Sequence, residues 1–200
     1  MIIIPSKKFI FLRVPKTAST SLSHFFSDHL HRFNDAMSTS IFYKDIYRGN
    51  LDVDVHSTLN DINVSDIKEY KVFGVVREPL DRILSYIYHS TELQNIQIES
   101  ALELMLSEKI TSPPGRQVQW LHFNQKLISN VYSFTNLQSL IKDAMDYLDI
   151  TEYNNLTYNH RYIARRDRSI KISKELVERF TETFHGDYDI YRTVIQSEQA

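Results

Sequence analysis

The sequence predicts an α/β fold in which a parallel sheet carries helices on both faces. Three short apolar runs, at residues 9–14, 71–76 and 131–134, have the length and boundaries of buried strands. Each is followed by a stretch whose apolar residues recur at helical spacing. Strands alternating with helices imply parallel pairing, and in such sheets ligands bind at the carboxyl ends of the strands.

Two hundred residues suit one domain, read here as 1–200, with a sizeable core. The net charge of −2 gives no basic footprint of the kind nucleic-acid partners require, so an anion site must come from local clustering of Lys and Arg. There is no cysteine, which excludes disulfides, thiolate metal sites and a cysteine nucleophile. The apolar start "MIIIPSKKFIFLRV" is interrupted by Pro5 and by Lys7 and Lys8. It has neither a signal peptide's order of regions nor the length of a membrane span, so a cytoplasmic chain with no membrane anchor is expected.

In order along the chain, Phe9 to Val14 form the first strand. Leu22, Phe25, Phe26, Leu30 and Phe33 place an amphipathic helix over about residues 19–32. "KVFGVV" (71–76) is the second strand. Arg77 ends it, Pro79 suits the first turn of the next helix, and Leu80, Ile83, Leu84 and Ile87 form that helix's buried stripe. Asp81, Arg82, Ser85 and His89 fall on its polar side. A helix over 98–106 precedes the break "SPPG" (112–115), and "VYSF" is followed by a helix over 137–148. Residues 156–171 read as a polar, basic loop. Ser173 then caps one last helix carrying Leu176, Val177, Phe180 and Phe184.

Two strand-end segments carry the chemistry. "RVPKTASTSL" (13–22) has the placement of a phosphate loop without its glycines; the first glycine of the chain is Gly49. It is too short to wrap a triphosphate, but Lys16, the hydroxyls of Thr17, Ser19, Thr20 and Ser21, and a helix N-terminus suit one anionic group. A plain strand-turn-helix link with Ser/Thr capping has the same outward form. "VVREPLDRILSYIYH" (75–89) offers an Arg fork at Arg77 and the hydroxyl of Ser85, which suit a terminal phosphate monoester. Pairing of Arg77 with Glu78 or Asp81 is the competing use.

Together the two segments resemble those of sulfotransferases that use 3′-phosphoadenosine 5′-phosphosulfate (PAPS), in particular the carbohydrate branch with the heparan sulfate 2-O-sulfotransferases. Softer similarity continues at 114–121, 131–137 and 184–191. The resemblance implies a three-layer, P-loop-like sandwich and a donor site with two ends. Arg13, Lys16, Thr17, Ala18, Ser19, Thr20 and Ser21 would take the 5′-phosphosulfate, and Arg77 and Ser85 the 3′-phosphate. The product would be 3′,5′-adenosine bisphosphate, with no metal, and the acceptor a hydroxyl, expected on a sugar. Arg165, in the basic run 159–171, would belong to a lid over the nucleotide; a solvated basic face is the plainer use of that run.

Transfer through a loose transition state calls for charge neutralisation at the leaving phosphate, the role given to Lys16, and for a general base on the acceptor hydroxyl. His56 is the candidate base, since it precedes Arg77 much as the catalytic histidine does in the 2-O-sulfotransferases. His160 is the reserve, with Glu92 or Glu99 more distant. Gln117 and Trp120 are candidates to line the acceptor cleft, with a core role for Trp120 as the alternative. His24, His29 and His31 on the first helix read as a solvated face. Two other functions stay open: a P-loop nucleotide kinase, which would need Mg²⁺ and ATP, and a non-catalytic nucleotide- or glycan-binding module. The sequence leaves the oligomeric state undetermined.

Overall fold

The computed structural model describes residues 1–38, 49–50, 56–62, 67–93, 95–107, 109, 114–153 and 171–200. The chain opens on β1 (Ile2–Ile4), turns through a short 3₁₀ segment at Pro5–Lys7, and returns as β2 (Phe9–Phe11). Pro5 stands at the first position of that turn and Lys8 closes it in the left-handed region, φ 48°. Next come α1 (Ser19–Leu30), the two-residue strands β3 (Met37–Ser38) and β4 (Gly49–Asn50), then β5 (Lys71–Val76), α2 (Pro79–Ile87) and α3 (Ile98–Leu106). The rest of the chain supplies α4 (Val118–Leu121), a small hairpin of β6 (His122–Phe123) and β7 (Lys126–Leu127), β8 (Asn130–Ser133), α5 (Leu137–Tyr147), α6 (Lys174–Thr183) and α7 (His185–Glu198).

The main sheet runs in the order β4-β3-β1-β2-β5-β8. Pairing is parallel for β3–β4, β2–β5 and β5–β8, but β1 lies antiparallel to both β2 and β3. The three strands expected from the sequence, β2, β5 and β8, are parallel to one another as expected, and the antiparallel β1 makes the whole sheet mixed. The opening isoleucines, with no turn signal ahead of them, form a strand that pairs through a tight turn and needs no crossover helix. The first predicted strand also ends early, at Phe11. Leu12 N still donates to Phe73 O, but the Arg13 carbonyl is taken by a histidine ring instead of a neighbouring strand.

Alternation of side chains along the strands supplies both faces. Phe9, Phe11, Phe73 and Val75 pack with α1 and α5 around Phe26, Leu140 and Ile141. Phe26 meets the rings of Phe9 and Phe11 at 5.9 and 4.9 Å. Ile10, Leu12, Val72 and Val76 point the other way, against Trp120 and Leu121 of α4 and Ile190 and Val194 of α7. Each such aliphatic or aromatic side chain contributes about 1.5–3 kcal/mol by burial. A satellite cluster joins α2, α3 and α6, with Phe180 stacked on Phe184 at 4.4 Å.

The single last helix expected from the sequence is two helices, α6 and α7, meeting at Phe184. Ser173 stands at the head of α6 without a side-chain capping bond; its N–H donates to Glu99 Oε1 at 2.6 Å. Among the described residues no helix is long and apolar enough to cross a membrane.

Candidate active site

Parallel register brings the carboxyl ends of β2, β5 and β8 to one edge of the sheet, and the first turn leaves from that edge. Between Pro15 and the first helical residue stand Lys16, Thr17 and Ala18, and two of the three are left-handed: Lys16 at φ 65° and Ala18 at φ 66°. For residues other than glycine this conformation costs about 1–2 kcal/mol each, strain of the kind found where backbone N–H groups are aimed at a ligand. The Thr17 hydroxyl closes the turn by donating to Val14 O at 2.9 Å, so its proton is used internally. Ala18 heads α1 with no side-chain cap, and Ser19 is buried. Thr20 is exposed and Ser21 half-buried.

The second segment meets the first. Arg77, just past β5, donates from Nη1 to Lys16 O at 3.1 Å, and its guanidinium lies over the Phe134 ring at 4.4 Å. Glu78 does not pair with it: its carboxylate caps α2, accepting from Leu80 N at 3.3 Å and Asp81 N at 2.6 Å. The Lys16 ammonium makes no hydrogen bond or ion pair among the described residues. Burial, and then the charge of Arg77, hold its pKa down at about 8 from 10.5. A half-buried cation beside a second cation is an arrangement whose chemistry suits an anion.

On the polar side of α2, two of the four residues turn inward, while Asp81 is half-buried and His89 exposed. Ser85 is buried, and Arg82 is wholly buried. Arg82 donates from Nη1 to Pro114 O at 3.2 Å and Pro15 O at 3.5 Å, and from Nη2 to Gly115 O. It lies 3.5 Å from Asp187 of α7. Gln117 does not line a cleft either. Its buried carboxamide brackets the Arg77 peptide, accepting from Arg77 N at 2.9 Å and donating to Arg77 O at 2.8 Å. Asp187 and the bracketing role of Gln117 were not readable in advance. The available signal was the acid next to Gly186 in the segment 184–191, which also carries Asp189. Past the end of α2 stands the exposed His89, whose pKa burial and then the charge of Lys16 lower.

His56 is exposed, and its Nδ1 lies 2.8 Å from Arg13 O. A carbonyl only accepts, so Nδ1 carries the proton and Nε2 holds the lone pair in the neutral ring. Trp120, buried in the core as the alternative had it, donates its Nε1–H to His56 O. Thr58 and Asp61 close a capping box just after it, with Thr58 N donating to Asp61 Oδ2 at 2.6 Å. Arg13 is buried at the end of the first apolar run. Arg165, His160 and most of the basic run lie outside the described residues. Glu99 is tied to Ser173 on the α3 surface, and Glu92 is exposed beyond α2. The half-buried His29 ring lies tilted against Phe25 with centroids 4.7 Å apart, His24 is exposed, and among the described residues no group of three or more His, Asp or Glu side chains is placed to hold a metal.

Residues 1–117, more than half of the chain, match the family model described as Sulfotransferase family. Comparison with curated proteins and with solved structures gives no match.

Proposed function

The chain belongs to the sulfotransferase family, and from that premise we propose that it moves a sulfuryl group from PAPS to an acceptor hydroxyl, with a carbohydrate as the acceptor class, on a three-layer P-loop-like fold. The observation that carries this reading is the bond from Arg77 Nη1 to Lys16 O, which joins the two strand-end segments into one cationic site. The residues fit a donor with two anionic ends. The strained turn with Lys16 and the uncapped start of α1 suit the 5′ end, and Arg77 with Ser85 suits the 3′-phosphate.

PAPS supplies an electrophilic sulfur on a phosphate leaving group. Lys16 neutralises the charge that grows on that phosphate, and the N–H groups of the turn share it. The Nε2 lone pair of His56 accepts the acceptor's hydroxyl proton, while the Arg13 carbonyl holds the Nδ1–H and so fixes the tautomer.

Calorimetric titration with adenosine 3′,5′-bisphosphate tests the donor site. Charge-assisted bonds to an anion are worth roughly 1.5–3 kcal/mol, so Lys16→Ala and Arg77→Ala each weaken binding by about ten- to a hundredfold. Parent-like affinity in both variants would place the donor elsewhere. Radiolabelled transfer to a panel of sugars, with chelator and without ATP, then reads the reaction itself and separates it from a kinase.

A further inference from the structure

The two segments of the site are held by one buried polar network that begins at the far end of the chain. Asp187, in the first turn of α7, is almost fully buried and accepts from Gln117 N at 2.8 Å and Val118 N at 3.0 Å. The same carboxylate lies 3.5 Å from the Arg82 guanidinium, whose own donors reach Pro15 O, the residue before Lys16, and the carbonyls of Pro114 and Gly115. Gln117, fixed through its N–H, grips both the N–H and the carbonyl of Arg77. Two ends of the network reach the donor segments, at the Pro15 carbonyl just before Lys16 and at the N–H and carbonyl of Arg77, while the remaining contacts tie the 114–118 backbone between them. A buried ion pair seldom adds net stability against an apolar replacement, so its value lies in fixing geometry.

We propose that Arg82, Asp187 and Gln117 are positioning residues of the donor site, setting the distance and orientation between the Lys16 turn and Arg77. On this account α7, which lies beyond the residues matched by the family model, is a structural part of that site. The proposal takes the donor site as read above, but its first test needs no nucleotide.

Competitive acetylation of the ligand-free protein across pH, read by mass spectrometry, gives the titration midpoint of Lys16 directly. Gln117→Met and Asp187→Glu are compared with the parent, with circular dichroism and thermal midpoints as the check on folding. Gln117→Met keeps side-chain volume and the buried ion pair, so it remains informative if Asp187→Glu does not fold. Loosening the network lets water reach Lys16 and frees Arg77 to move off, so the midpoint rises by about one pH unit or more from about 8 toward 10.5. Bisphosphate affinity falls about tenfold in the same variants, as a small misplacement of charged donors predicts.

A folded Gln117→Met with parent-like midpoint and affinity overturns the proposal. So does lost affinity with an unmoved Lys16 midpoint, because general loosening elsewhere gives that pattern. A midpoint that moves in a protein whose parent binds no bisphosphate upholds the network and removes the donor reading instead.

Discussion

On the donor site proposed above, Lys16 makes binding pH-dependent with a sign and size that its lowered pKa sets. Burial and Arg77 hold its ammonium at about 8, and a phosphate placed against it supplies the missing counter-charge and restores the pKa toward 10.5. Below about pH 8 the free site is already protonated, and affinity does not vary on this account. Above it, the free site has lost a proton that the complex must take back, so affinity falls by up to tenfold per pH unit. Between pH 7.5 and 9.5 the fall amounts to about twentyfold, in a window where the phosphates are already ionised. Titration calorimetry with adenosine 3′,5′-bisphosphate in two buffers of different ionisation enthalpy reads both the affinity and the proton taken up. Lys16→Met abolishes the slope. A flat profile in the parent, or a slope that survives in Lys16→Met, would refute the reasoning. The same shift has a stability consequence of fixed sign: the unfolded chain binds the extra proton between about pH 8 and 10.5, so the Lys16 contribution to stability rises with pH across that interval.

Three further outcomes follow from particular positions. Ala18, at φ 66°, is strained, so in urea unfolding Ala18→Gly is neutral or stabilising by up to about 1 kcal/mol, whereas β-branched Ala18→Val destabilises by more than 1 kcal/mol. Gly115 has φ +60°, and a Cβ there would meet Trp120 Cη2 at 2.6 Å and Gln119 Oε1 at 2.7 Å; Gly115→Ala is expected to cost about 2 kcal/mol or more in the same assay. With His56 as the proposed base, His56→Ala is expected to lower transfer by about 10²–10⁴-fold while bisphosphate affinity in calorimetry stays within about twofold of the parent.

Where local pattern decides structure, the sequence was enough. β5 and α3 fall on the predicted residues, because an apolar run bounded by charge and a helical stripe are local signals. β1 was missed because its pairing is antiparallel through a tight turn, a choice made by tertiary contact with β2 and β3 rather than by the isoleucines themselves. α7 was missed because it buries little besides Asp187, Ile190 and Val194, too sparse a stripe beside Gly186 to register. The site divides in the same way. That Lys16 and Arg77 stand at neighbouring strand ends was legible from their places after two apolar runs. Arg82 was not: on α2 it lies opposite the apolar stripe, and only the fold of the whole chain brings Asp187 and three carbonyls to that side. Gln117, a candidate to line the acceptor cleft, spends its side-chain hydrogen bonds on the Arg77 backbone, a partner set by the fold and not by local sequence.

The claim that two turns hold one donor is tested most directly by a crystal structure with adenosine 3′,5′-bisphosphate. The account predicts the 5′-phosphate within hydrogen-bond reach of Lys16 Nζ and the N–H groups leading into α1, with the 3′-phosphate on Arg77 and Ser85. A bisphosphate bound with one phosphate on Lys16 and the other remote from Arg77, or bound away from both, would contradict it.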